Sequence, residues 1–199
     1  MKIHPLVKEI LITTEEIDEK FFELGQQISH YYLNEYPAKD NTILCLGLLK
    51  GCIPFMAKFI AHLVGVECET EYMVVSSYFG GVKSKDTPQI LLDLPMPITN
   101  RDILLVEDII DSGKTIKMIK DYLYLKGARS VKVVTLLDKK AGRKVDLVAD
   151  WYGFDVPPAF FNWLWFRLSK TFTQFAIYCD CWSGKISNMK IRYKEVIHN

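Results

Sequence analysis

At 199 residues, 49% hydrophobic and 25% charged, the chain has enough material for one globular domain with a sizeable core. A formal net charge of +1 gives no electrostatic argument for a nucleic-acid or membrane partner, and no apolar run reaches the length of a membrane span. Five cysteines without paired spacing exclude a disulfide framework and a structural zinc site, and the Met1–Pro5 start lacks a signal-peptide apolar region, so a cytoplasmic protein is expected.

Thr13-x-x-Glu16 reads as a capping box, and Ile17, Phe21, Leu24, Ile28 and Tyr32 recur at steps of three and four, predicting an amphipathic helix. Thr42 to Leu48 reads as a buried strand ending in Leu49-Lys50-Gly51-Cys52, with Pro54 suited to the first turn of a helix through about Leu63. Cys45 and Cys52, in the strand and at the helix start, read as core thiols. Glu67 to Ser77 alternates into a second strand. A Gly-, Lys- and Ser-rich stretch headed by Gly80-Gly81 then runs to Ile90-Leu91-Leu92, a length of polar loop that suggests a lid.

Ile103 to Val106 is an apolar β-branched run suited to a buried parallel strand, and Ile116, Ile119 and Leu123 follow at helical spacing up to Gly127, a C′ glycine. Val131 to Leu137 is a third strong strand and Leu147 to Tyr152 a shorter one. Alternating strands and helices predict a single α/β domain over residues 1–199, with a mainly parallel twisted sheet flanked by helices and right-handed crossovers.

The most informative segment joins that strand to that helix: Glu107-Asp108-Ile109-Ile110-Asp111-Ser112-Gly113-Lys114-Thr115. It lies at a strand's carboxyl end, where open parallel sheets bind ligands and the next helix presents unpaired amides and a positive dipole end. Gly113 allows close backbone approach to an anion, Ser112 and Thr115 add hydroxyl donors and Lys114 a charge. Glu107 and Asp108 repel anions but suit the vicinal hydroxyls of a ribose or a magnesium ion. Asp111, inside the turn, is placed to reach past a sugar to a base. The turn fits neither a Walker A loop nor a Rossmann fingerprint.

Two acids followed by D-[ST]-G-x-T resemble the 5-phosphoribosyl-1-diphosphate (PRPP) motif of the type I phosphoribosyltransferases. Four further segments resemble the hypoxanthine-guanine branch of that family. Leu49-Lys50-Gly51 is similar to its pyrophosphate loop, and Ser76-Ser77-Tyr78 to the head of its flexible catalytic loop. Lys139, in Leu136-Leu137-Asp138-Lys139-Lys140, matches the lysine that donates to a purine 6-oxo group. Gly153-Phe154-Asp155-Val156-Pro157-x-x-Phe160 matches G-F-x-[IV]-P-x-x-F, whose last aromatic stacks on the purine. Read alone, Lys50 and Lys139 are solvated lysines and Phe160 is as much a core residue as a platform.

The resemblance implies the type I phosphoribosyltransferase fold, with a small hood of N- and C-terminal segments. It also implies magnesium, a 6-oxopurine acceptor, and a homodimer or homotetramer. The implied reaction displaces pyrophosphate from carbon 1 of PRPP by purine N9, giving IMP or GMP. Lys50, Gly51, Ser77, Tyr78, the segment Glu107 to Thr115 including Ile109 and Ile110, Lys139 and Phe160 would bind the substrates. Glu107 and Asp108 would bind the metal, and Asp111 would act on purine N7 as general base or hold its proton. The alternatives are a non-catalytic PRPP- or nucleotide-binding regulator, and transfer to another base such as xanthine.

After Phe160 the resemblance stops. The family continues V-[VI]-G-Y-G-[LM]-D-Y and then R-N-L-P-[YF]-[IV], which carry a magnesium aspartate and a pyrophosphate arginine. Here the chain reads Phe161-Asn162-Trp163-Leu164-Trp165-Phe166-Arg167-Leu168. Back-translating Trp163 to Leu168 as TGG-TTA-TGG-TTT-AGA-TTA and reading one base later gives G-Y-G-L-D, and the same offset over Thr173 to Ile177 yields N-L-P-Y. A frame displacement from about residue 161 would account for both missing motifs; the alternative is a native divergent tail. Arg167 takes the place of the magnesium aspartate, so weak PRPP turnover and an exposed aromatic, aggregation-prone end are expected.

Overall fold

A computed structural model describes residues 9–37, 42–76, 88–157 and 177–179. After a short strand β1 (Glu9–Ile12) comes helix α1 (Thr14–His30), opened by the expected capping box. The Thr13 hydroxyl accepts from Glu16 N–H at 3.2 Å, and the Glu16 carboxylate accepts from Thr13 N–H at 2.7 Å. Each satisfies a backbone donor that helix geometry leaves without an intrahelical partner. A π-helical turn (Tyr31–Glu35) extends α1.

Strand β2 (Thr42–Leu49) leads through Lys50-Gly51 into α2 (Cys52–Phe59), and a 3₁₀ turn (Ile60–His62) completes the helix predicted to about Leu63. Strands β3 (Glu67–Ser76), β4 (Gln89–Leu92) and β5 (Asp102–Ile110) come next, then α3 (Lys114–Leu125), β6 (Ser130–Asp138), β7 (Trp151–Asp155) and β8 (Ile177–Cys179). At the end of α3, Gly127 N–H donates to Tyr124 O at 2.9 Å and Ala128 N–H to Leu123 O at 3.1 Å. With Gly127 at φ 88° this is a Schellman ending at the glycine expected there.

Six strands form one sheet in the order β4-β3-β2-β5-β6-β7, parallel except for the edge strand β4. Alternation divides its side chains between two cores. Ile43, Cys45, Leu104, Val106, Val134 and Leu136 pack with α1 and α2, whereas Leu44, Leu46, Ile103, Leu105, Val131 and Val133 pack with Ile116, Ile119 and Leu123 of α3. Chain order reverses between β2 and β5, and such a switch point opens a crevice at the strands' carboxyl ends. A separate ladder joins β1 to β8 antiparallel, with a bulge between Ile10 and Ile12. It ties the N- and C-terminal segments together, and three residues of the departing tail take part.

Two strand limits differ from the sequence reading. β5 runs on through Glu107 and Asp108 to Ile110, because its parallel ladder with β6 continues from Glu107↔Thr135 to Ile110↔Asp138 and backbone pairing is indifferent to side-chain charge. β7 starts at Trp151 rather than Leu147. The Asp150 carboxylate accepts from Val133 N–H at 2.8 Å, taking an edge donor of β6, and β7 pairs only beyond it. Leu147 and Ala149 read as strand because they are buried, but their burial is against the α3 core.

Cys45, Cys52 and Cys68 are free, the first two buried as expected. Among the described residues no helix is long and apolar enough to cross a membrane.

Candidate active site

At the switch point a cleft of about 280 Å³ opens. Its walls are Leu48, Leu49 and Gly51 at the end of β2, Val75 of β3, Glu107, Ile109 and Ile110 of β5, the turn Asp111-Ser112-Gly113, and Thr115 and Ile116 of α3. A larger, shallower depression of about 510 Å³, between α1 and Trp151, carries none of the motif residues.

The turn has the build an anion needs. Gly113 adopts φ 77°, and a Cβ there would stand 2.9 Å from the Arg143 Cδ, so both the backbone and its surroundings require glycine. The first intrahelical hydrogen bond of α3 is Lys117 N–H to Gly113 O at 2.9 Å. The amides before it belong to the positive end of the helix, which closes the cleft. Ser112 Oγ lies 3.5 Å from Lys114 N, a weak contact. On the other side Gly51 meets Asp108 so closely that a Cβ would fall 2.1 Å from the carboxylate.

Glu107 and Asp108 are neighbouring carboxyls withdrawn from solvent. Burial, followed by the Asp108 charge, pushes Glu107 well above the usual carboxylate range, and burial raises Asp108 against hydrogen bonds from Glu107 and from Ile109 N–H at 2.7 Å. Glu107 Oε2 is shielded from solvent without a hydrogen-bonding partner. Two adjacent carboxyl groups, one oxygen of them unsatisfied, suit a cation or a diol. No third His, Cys, Asp or Glu joins them in a metal-holding group among the described residues. Beside them Cys52 is pushed up to about 12, by burial first and then by the two acids, which fits an inert core thiol.

Asp111 and Lys139, 28 positions apart, meet at 3.2 Å between the Asp111 carboxylate and Lys139 Nζ. The β5–β6 register makes the meeting, since Ile110 pairs with Asp138 and the next residue of each chain emerges on the same rim. The Asp111 side chain stays 55% exposed, open toward whatever enters the cleft.

Of the predicted residues the cleft gathers Gly51, Glu107, Ile109, Ile110, Asp111, Ser112, Gly113 and Thr115. Lys139 joins through Asp111, and Asp108 backs Gly51. Lys50 sits exposed one residue outside the cleft wall, and Lys114 opens α3 half-buried. Ser77, Tyr78 and Phe160 lie outside the described residues, as do the Gly80-Gly81 stretch and most of the tail. Sequence reading missed Asp138 and Arg143, whose signal was faint: a charged pair flanking Lys139 in a segment with a motif of its own.

A mainly parallel α/β sheet with a glycine-turned helix start and a paired acid and lysine at its switch point places the chain among the α/β proteins that bind a ligand in the crevice at the strands' carboxyl ends. A family model described as phosphoribosyl transferase domain matches residues 13–166. The chain is 44% identical over 154 residues to a hypoxanthine-guanine phosphoribosyltransferase of Lactococcus lactis, covering 77% of this chain and 80% of that one. It is similar to the Trypanosoma cruzi hypoxanthine phosphoribosyltransferase in complex with its product IMP (TM-score 0.72, 30% identity, 80% of this chain and 86% of that one). A second T. cruzi structure, one addressing the role of the C-terminal region in oligomeric state and activity, covers 90% of this chain and 94% of that one, with TM-score 0.77 and 27% identity. The chain belongs to the phosphoribosyltransferase family.

Proposed function

We propose that this chain transfers the 5-phosphoribosyl group of PRPP to N9 of hypoxanthine or guanine, forming IMP or GMP and pyrophosphate. One observation carries the reading: Lys139 and Asp111 stand 3.2 Å apart on the rim of the phosphate turn. A donor for a 6-oxo group and an acceptor for a ring N–H therefore face one ligand whose phosphate the adjoining amides hold.

The turn Asp111 to Thr115 binds the 5-phosphate through backbone amides and hydroxyls. Glu107 accepts from the ribose hydroxyls, and Gly51 with Lys50 faces the pyrophosphate. Lys139 donates to the purine 6-oxygen, which disfavours adenine because its amino group offers no acceptor there. Asp111 takes or holds the N7 proton as N9 attacks carbon 1. Ser77 and Tyr78 shield the oxocarbenium-like carbon from water, and Phe160 stacks on the base. Glu107 and Asp108 would hold magnesium, which when bound supplies neutralisation of the departing pyrophosphate charge. The protein works in the cytoplasm as a homodimer or homotetramer, and residues 1–199 act as one domain.

Magnesium-dependent pyrophosphate release from PRPP, measured with hypoxanthine, guanine, xanthine and adenine in turn, tests the assignment. Release with hypoxanthine or guanine and none with adenine is the expected result. Release with adenine, or PRPP binding without turnover even in a chain whose C-terminal frame is restored, would overturn it.

A further inference from the structure

Segment 139–144 does more than carry Lys139. Three consecutive carbonyls, from Ile110 at the end of β5 to Ser112 in the phosphate turn, each accept a hydrogen bond from it. Lys139 N–H donates to Ile110 O at 3.0 Å, Arg143 Nη1 to Asp111 O at 2.8 Å, and Lys144 N–H to Ser112 O at 2.9 Å. A peptide unit whose carbonyl is held on one side directs the following amide to the other. Fixing these three carbonyls outward therefore fixes the amides of Asp111, Ser112 and Gly113 toward the cleft.

Two of the three donors are backbone groups, and the third is a side chain. Arg143 is also tied at its other nitrogen, Nη2, to the carboxylate of Asp138. Asp138 is almost wholly buried and Arg143 only 13% exposed, so the fork is held rigidly between the end of β6 and the turn. Close packing adds to the tie. A Cβ on Gly142 would fall 1.8 Å from Asp111 Oδ1, and the Arg143 stem, Val145 and Leu147 crowd the missing Cβ of Gly113.

We propose that Arg143 is a positioning residue: by clamping the Asp111 carbonyl to Asp138 it sets the turn's amides for the 5′-phosphate. The inference rests on the reading of the turn as a phosphate site. Arg143 itself lies outside the cleft wall and touches the substrate only through the turn.

The test compares IMP with inosine, which differ only by the 5′-phosphate, by calorimetric titration of the full chain and of Arg143→Gln. The unsubstituted chain binds IMP more tightly than inosine. In Arg143→Gln that preference falls about ten-fold, the size of one charge-assisted hydrogen bond, while inosine affinity changes little. Methylguanidinium in the titration buffer restores the preference to Arg143→Ala, a recovery that general destabilisation would not show. Arg143→Lys keeps the charge opposite Asp138, folds if Gln does not, and loses the preference because an ammonium cannot fork to both acceptors. An unchanged preference in these variants would overturn the role of Arg143 and leave the phosphate site standing. No preference in the unsubstituted chain would overturn the phosphate site, and the inference with it.

Discussion

Glu107, buried beside Asp108, carries an electrostatic cost, and that cost has a sign in pH. Its folded-state pKa is raised, first by burial and then by Asp108. A raised carboxyl contributes stability that is complete below its unfolded value of about 4 and is lost as pH rises through the folded value. Glu107→Gln removes the titration. As pH rises above about 4, its melting temperature, followed by calorimetry, is expected to decline less than that of the unsubstituted chain, with weaker magnesium-dependent PRPP binding. Parallel melting profiles would contradict this account of the acid pair. Gly113 poses the opposite case, a residue required for its missing atom. At φ 77° with Arg143 2.9 Å from the absent Cβ, Gly113→Ala is expected to cost about 1–2 kcal/mol in urea unfolding. PRPP affinity is expected to fall by more than ten-fold, since the amides shift as well. Loss of stability with affinity intact would show that the turn tolerates a side chain.

Elements with local signals were legible without the fold. The capping box, the step-of-three-and-four apolar pattern and the C′ glycine each depend on residues within one or two turns, and each is found where the sequence placed it. Thr13→Ala removes one side of the reciprocal cap. It is expected to lower stability by about 1 kcal/mol in denaturant titration, with PRPP binding unchanged because α1 lies outside the cleft wall. Unaltered stability would mean that packing of Ile17 and Phe21 alone holds the helix start. Strand ends were less legible. Where β5 and β7 begin or stop is decided by a neighbouring strand's register and by Asp150, a side chain bonding to an amide 17 positions away, and neither leaves a mark in a local window.

At the scale of the whole molecule, the body through residue 157 and the C-terminal segment from residue 161 differ in character. Along β5 and the turn the sequence resembles the family's PRPP motif, whereas on the same resemblance Arg167 falls where a magnesium aspartate is expected. We infer a one-base frame displacement from about residue 161. Replacing residues 161–199 with the displaced reading is expected to raise magnesium-dependent pyrophosphate release and solubility together. Equal activity in the two chains would show the tail to be a working divergent end, a result its three-residue ladder with β1 would help explain.

By itself the sequence determined the mainly parallel α/β architecture and the cap and glycine ends of its helices, because hydrophobic period and turn geometry are set by neighbours along the chain. Only the tertiary structure decided that Lys139 meets Asp111, that Arg143 clamps the Asp111 carbonyl to Asp138, and that Glu107 holds an oxygen without a partner. Those contacts arise from the register of β5 against β6 and from burial at the switch point. The two contacts to Asp111 join residues about thirty positions apart, whose approach is specified by a whole sheet.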